Sequence, residues 1–374
     1  MKKNHNDKIN SINKISCRDK ISCRDKIGIC SFLFFICFAF LIFQSCAFFY
    51  GPKAELSYTS MFDSLWKDYD ETYALFEVRG LDWNNQYDKC RPLVHDDMTD
   101  KDFLEVLKKL LYPLNDAHVY VKANIGCLNS GEDNVVPDIF SLDAVCEKYI
   151  DSPTKCGNKI ITYGRLKSDS QIGYIHIAAF SSGQTGINQQ QNWADDIDLA
   201  LEELKDTKSI ILDVRGNRGG LTGNVTRISG RFCAQDKTYA LSRTKNGPGR
   251  NDFGNAVELE IKKNGDWQYT NPVILLTNAQ TMSAGEEFSM ALVSQPHVIQ
   301  VGNHTCGVFS LSLERCLANG WKYSVSVQKV TDPDGNIPEG KGIVPKDENL
   351  ILNASISDDL QMNRAIELCG QSQL

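Results

Sequence analysis

The chain lacks a cationic surplus. Its 40 Lys and Arg residues stand against 47 Asp and Glu, a formal charge of −7, so the field that holds phosphate backbones is missing and nucleic acid is not expected as a partner. It lacks G-x-x-x-x-G-K-[ST] and a proper G-x-G-x-x-G, which leaves nucleotide binding without support. It also lacks the C-x-x-C pairs of zinc knuckles, so neither a metal nor another cofactor is expected. What remains is ordinary globular composition, 42% apolar and 23% charged over 374 residues, room for one large domain or two smaller ones. Disordered, collagenous and polytopic classes are excluded.

One long uncharged run, IGICSFLFFICFAFLIFQSC, follows a basic segment carrying Lys2, Lys3, Lys8, Lys14, Arg18, Lys20, Arg24 and Lys26. A basic region followed by an apolar region reads as an export signal over residues 1–45. The run ends in Phe43-Gln44-Ser45-Cys46, which resembles a bacterial lipobox with Phe43 in place of the usual Leu, so Cys46 is a candidate lipidation site. A membrane anchor of about 20 apolar residues is the alternative. Either places the rest of the chain in the cell envelope, outside the cytoplasm. Eight further cysteines, Cys90, Cys127, Cys146, Cys156, Cys233, Cys306, Cys316 and Cys369, are compatible with disulfides in an oxidising compartment. The shortest closures pair Cys306 with Cys316, and Cys127 or Cys146 with Cys156; any one of them can equally be a small buried apolar residue.

Two textures follow. From Ser57 to about Leu114 apolar residues recur at helical spacing, with Thr99 or Asp100 as an N-cap and Pro113 as a stop. This predicts a helical domain over 46–120. Residues 121–159 are rich in Gly, Asp, Pro and Cys and read as a connector or reduced insertion. From 160 to 374, IGYIHIAAF, QNWADDIDLALEELK, SIILDVRG, NPVILLTNAQ, SAGEEFSMALVSQ and HVIQVG alternate β-rich and helical runs, which predicts an α/β core with parallel strands.

Chemistry on such a core belongs where strands end and helices begin, because a helix N-terminus presents free N–H groups to a developing anion. Two junctions stand out. SIILDVRGNRGGLTGN carries Gly216, Gly219 and Gly220, which let the backbone approach a ligand. NPVILLTNAQTMSAGEEFSMAL sets Ser283 between a strand and a helix, and Ser283 with Glu286 also makes an S-x-x-E capping box.

The landmarks LWKDYDETYALFEVRGLDW, LNDAHVYV, IGYIHIAAF, DVRGNRGG, LTNAQTMSAGEEF and EGKGIVPKDENL, in that order, resemble the tail-specific or C-terminal-processing serine peptidases. That resemblance implies a ClpP/crotonase-like α/β catalytic core, a serine nucleophile at Ser283 and a peptide or protein substrate. In the Ser-Lys branch a lysine follows the serine by about two dozen residues, but no Lys occurs here between Ser283 and Lys322, and Arg315 does not give up its proton. The tricorn-like branch instead has a D-x-H motif, matched by Asp116-Ala117-His118, and a carboxylate matched by Glu339 in EGKGIVPKD. Lys346 stands where that family usually has Asp.

The resemblance thus assigns Ser283 as nucleophile, His118 as general base and Glu339 as supporting acid, with His176 and His304 as rival bases. An oxyanion hole would draw on Ala284 N–H and an N–H of Gly219 or Gly220. Residues 121–159 are too few for the PDZ domain of roughly 90 residues that many relatives carry. The competing expectation is a non-catalytic ligand- or peptide-binding lipoprotein on the same fold.

Overall fold

The computed structural model describes residues 55–131, 140–181, 193–352 and 358–371. The segment expected to act as an export signal, and Cys46, lie outside them. Residues Lys53–Leu374 form one compact unit.

Four helices come first: α1 (Tyr58–Thr72), α2 (Phe76–Arg79), α3 (Trp83–Cys90) and α4 (Asp100–Leu111). The Ser57 side chain accepts from Ser60 N–H to cap α1, and Met61, Phe62, Leu65 and Tyr69 turn inward on it. Thr99 caps α4 by accepting from Asp102 N–H, and Phe103, Val106, Leu107, Leu110 and Leu111 form its buried stripe. Residues read as a connector hold most of a hairpin of β1 (Tyr120–Ala123) and β2 (Gly126–Asn129), then α5 (Leu142–Tyr149) and the whole of β3 (Ile150–Cys156).

The remaining elements are β4 (Ile161–Leu166), β5 (Ile172–Ile177), α6 (Ile197–Leu204), β6 (Ser209–Asp213), α7 (Thr222–Ser229), β7 (Lys237–Thr244), β8 (Val257–Ile261), β9 (Val273–Thr277), α8 (Ala284–Val293), β10 (Val298–Gly302), β11 (Ser312–Cys316), β12 (Lys322–Ser326), β13 (Gln328–Thr331) and α9 (Leu360–Gly370). The main sheet runs β10-β9-β6-β5-β4-β3. Its β5, β6, β9 and β10 are parallel, as the alternation predicts, while β3 and β4 join antiparallel. Both faces are covered, which is why these strands are apolar without alternation. Ile175, Leu212 and Leu275 face a core that includes Phe288 of α8, whereas Tyr174, Ile211 and Ile274 face one that includes Met362 of α9.

Two smaller antiparallel sheets complete the fold, β11-β12-β1-β2 and β13-β7-β8. Through the first, the end of the helical segment joins the C-terminal half of the chain, with Val121 opposite Tyr323.

The disulfide expectation is corrected: all eight cysteines are free thiols. Extended chain explains the failed closures, because a strand advances about 3.3 Å per residue. Cys316 sits at the far end of β11 from Cys306, and β3 separates Cys156 from Cys146 on α5. Cys233 and Cys369 instead fill the two cores.

Candidate active site

Strand β9 ends at Thr277, and the chain turns back into α8 through Ser283 at φ 55° and ψ −123°. The Ser283 N–H is held by the Val308 carbonyl at 3.1 Å and by the Glu286 carboxylate at 3.2 Å. Both halves of the capping box are present. The Glu286 N–H lies against both the Ser283 carbonyl, to which it donates at 2.8 Å, and the Ser283 side chain, which completes the box. Ser283 also borders a cavity of about 350 Å³.

Glu286 does more than the capping box implies. Fully buried, its carboxylate accepts from the Thr305 hydroxyl at 2.6 Å, Gly307 N–H at 2.6 Å and Val308 N–H at 2.7 Å as well as from Ser283. Burial pushes its pKa up to about 7, with the hydrogen bonds pulling the other way. One carboxylate thus ties the start of α8 to the 305–308 turn.

The glycine turn after β6 lies directly against this helix start. A Cβ on Gly219, at φ 93°, would sit 2.8 Å from Ala284 N and 2.9 Å from Ser283 Cβ; one on Gly220 would sit 2.2 Å from the Phe180 carbonyl carbon. Only glycine permits both approaches. Asn217, which the sequence did not single out, organises the turn. Its side chain accepts from Gly219 N–H at 2.9 Å and donates to the Ile177 carbonyl at 3.0 Å, and its carbonyl accepts from Met282 N–H at 3.0 Å. Gly219 N–H is therefore occupied. Among the described residues Gly220 N–H and Ala284 N–H have no acceptor, and both residues border the same cavity as Ser283.

His118 follows a buried anchor. Asp116 accepts from His118 N–H at 2.9 Å, the Tyr73 hydroxyl at 3.0 Å and the Ser326 hydroxyl at 2.8 Å, which fixes the backbone that carries the ring. The ring Nδ1 is buried with no partner among the described residues. Burial lowers the His118 pKa below 6.5; nearby Asp116 opposes this and Arg79 reinforces it.

Glu339 is also buried, and each of its oxygens has its own donor: Arg79 at 2.6 Å and Phe309 N–H at 2.9 Å. Burial and nearby Asp116 raise the Glu339 pKa, with Arg79 opposing them. Arg79 and the Phe309 backbone, and not the His118 ring, are what this acid touches. Arg79 was not singled out in the sequence, although it lies within the LWKDYDETYALFEVRGLDW landmark.

No hydrogen bond joins the Ser283 hydroxyl to a histidine ring among the described residues. His176, inside β5, has both ring nitrogens buried without partners and stacks on Phe140 at 5.3 Å. His304 directs Nδ1 to the Thr305 carbonyl at 2.8 Å. Among the described residues no cluster of His, Cys, Asp or Glu is arranged to hold a metal ion, and no helix is long and apolar enough to cross a membrane.

An α/β core with a serine at a strand-to-helix turn, beside free N–H groups, defines a hydrolase-like class of site. Residues 171–348 match peptidase family S41, and residues 54–112 match the tricorn protease C1 domain. Over these two segments the chain is similar to the tail-specific proteases. It is 30% identical over 176 residues to the carboxy-terminal processing protease CtpB of Bacillus subtilis, covering 46% of this chain and 33% of that protein. The chain spans about a third of the length of the curated relatives it matches. A crystal structure of a candidate peptidase from Parabacteroides merdae aligns with TM-score 0.74 at 27% identity, over 84% of this chain and 97% of that one. Mature CPAF bound to lactacystin shares the fold, with TM-score 0.61 at 11% identity over 84% of this chain and 97% of that one.

Proposed function

We propose that the chain is a serine peptidase in which Ser283 attacks the scissile carbonyl and His118 takes the serine proton, later returning it to the leaving amine. Ala284 N–H and Gly220 N–H receive the developing oxyanion, each worth about 3 kcal/mol in such a site. Water then hydrolyses the acyl-enzyme, with His118 again as base. Glu339 is a positioning residue: it binds Arg79 and the Phe309 backbone, next to the Val308 carbonyl that holds Ser283. Residues 1–45 act as an export signal and Cys46 takes a lipid, which puts the activity in the cell envelope; the basic-then-apolar pattern and the lipobox-like end support this.

The observation that carries the reading is the position of Ser283, at a positive-φ turn from strand to helix, bordering a cavity together with two unpaired N–H groups. The missing Ser283–His118 hydrogen bond favours the second reading, a peptide- or ligand-binding protein. Catalytic contacts commonly tighten only with substrate in place.

A fluorophosphonate probe separates the two. The wild-type protein should label at Ser283 and hydrolyse peptides. Ser283→Ala should lose labelling and at least about 10⁴ in rate while keeping its thermal midpoint. An unlabelled wild-type protein, or a variant with undiminished turnover, contradicts the catalytic reading.

A further inference from the structure

The cavity beside Ser283 has an uneven chemistry. Its wall is formed by α8 with β7, β8 and β13, and much of it is apolar, including Ala240, Leu259, Met290 and Val330. Among the described residues Glu287 is the only charged one that lines it, and no Lys, Arg or His does. The Glu287 carboxylate accepts one hydrogen bond on each oxygen, from the Thr222 hydroxyl at 2.8 Å and the Tyr239 hydroxyl at 3.2 Å. An ionised carboxylate offers about four acceptor sites, so roughly half its capacity is unfilled. Both donors are neutral, and no ion pair to Glu287 exists among the described residues. The carboxylate is mostly removed from solvent, and burial raises its pKa.

We propose that this cavity is a side-chain pocket for a basic residue of the substrate, Lys or Arg, with Glu287 receiving the cation. The proposal rests on the peptidase reading for its place in the reaction. Gly220 and Ala284 border the pocket together with Ser283, so a carbonyl seated on their N–H groups directs its own residue's side chain inward. The apolar wall packs the methylene stem, as long cationic side chains require. The two remaining acceptor sites of Glu287 meet the ammonium or guanidinium, a charge-assisted contact about twice as strong as a neutral one. A volume of about 350 Å³ holds one long side chain. An acidic side chain is rejected, and an aliphatic one leaves the carboxylate buried without a counter-charge.

The test separates binding from turnover. Fluorescein-labelled heptapeptides of alanine with a single central arginine, citrulline, leucine or glutamate are titrated against Ser283→Ala by fluorescence anisotropy. Arginine should bind at least tenfold tighter than citrulline, its neutral near-isostere, with glutamate weakest. Adding Glu287→Gln should bring arginine and citrulline within about twofold, and Glu287→Lys should favour glutamate over arginine. Equal binding of arginine and citrulline overturns the proposal, as does an arginine preference that survives Glu287→Gln. Fluorophosphonate labelling of the wild type reports the peptidase reading separately: labelling without a basic preference defeats only the pocket assignment, and a basic preference without labelling defeats only the nucleophile.

Discussion

At the scale of single residues, the proposed base is set for deprotonation. Burial holds His118 below the ordinary imidazole value, and Arg79 adds to the effect. The activity should therefore rise with pH through one ionisation with its midpoint below 6.5, and His118→Ala should remove that rise. Arg79→Gln takes away a nearby cation that favours the neutral ring, so the midpoint should move upward by up to about one unit. A pH–rate profile of kcat/KM for both proteins checks this, and an unmoved midpoint contradicts the role given to Arg79. The sequence offered His118 and Glu339 through a resemblance. It gave no signal for the Arg79–Glu339 pair, whose members lie 260 positions apart and sit, respectively, at a short helix's end and in a loop.

Between elements, Glu286 is the tie, and its titration is readable as stability. The folded state holds its proton up to about pH 7, against an ordinary value of 4.5. The native state thus binds more protons than the unfolded state between those limits. Its contribution is fully present below about pH 4.5 and is lost as pH rises through about 7, an effect on the order of 3 kcal/mol. Glu286→Gln should flatten the dependence: wild-type urea midpoints at pH 5 and pH 8 should differ by more than those of the variant. Equal differences would contradict the assignment. The sequence placed the helix and its capping box because both are local. The 305–308 turn that also binds Glu286 is about 20 residues away, and nothing in the S-x-x-E spacing points to it. The same distinction separates β5, β6 and β9, legible as apolar runs, from β1, whose partner β12 lies in the last quarter of the chain.

Over the whole molecule, the helical segment and the α/β core do not present as separable pieces. Tyr69 donates to the Ser324 carbonyl, Arg315 pairs with Asp68, Tyr323 donates to Asp68 at 2.8 Å, and Ala74 N–H bonds the Ser326 carbonyl at 2.9 Å. These contacts are largely buried, where removing one partner strands the other. A single unfolding transition is expected from Lys53 onward, coincident by fluorescence and circular dichroism. A fragment beginning at residue 160 should show no cooperative transition. Two resolved transitions, or a folded fragment, would show the helices to be dispensable. Sequence texture divided the chain near residue 120 because periodicity changes there; buried pairs across that boundary leave no trace in periodicity.

The backbone at Ser283 gives a different kind of information. A dihedral pair of 55° and −123° is one that glycine enters freely and that costs an L-residue about 1–3 kcal/mol. Glycine at 283 would therefore relieve the turn and keep its course, at the loss of the hydroxymethyl group and its half of the capping box. The capping box offsets part of that cost, yet a chain that used this fold only to hold a ligand could reach the same turn with glycine. The serine that stands in a glycine's conformation is itself an argument that its oxygen is used.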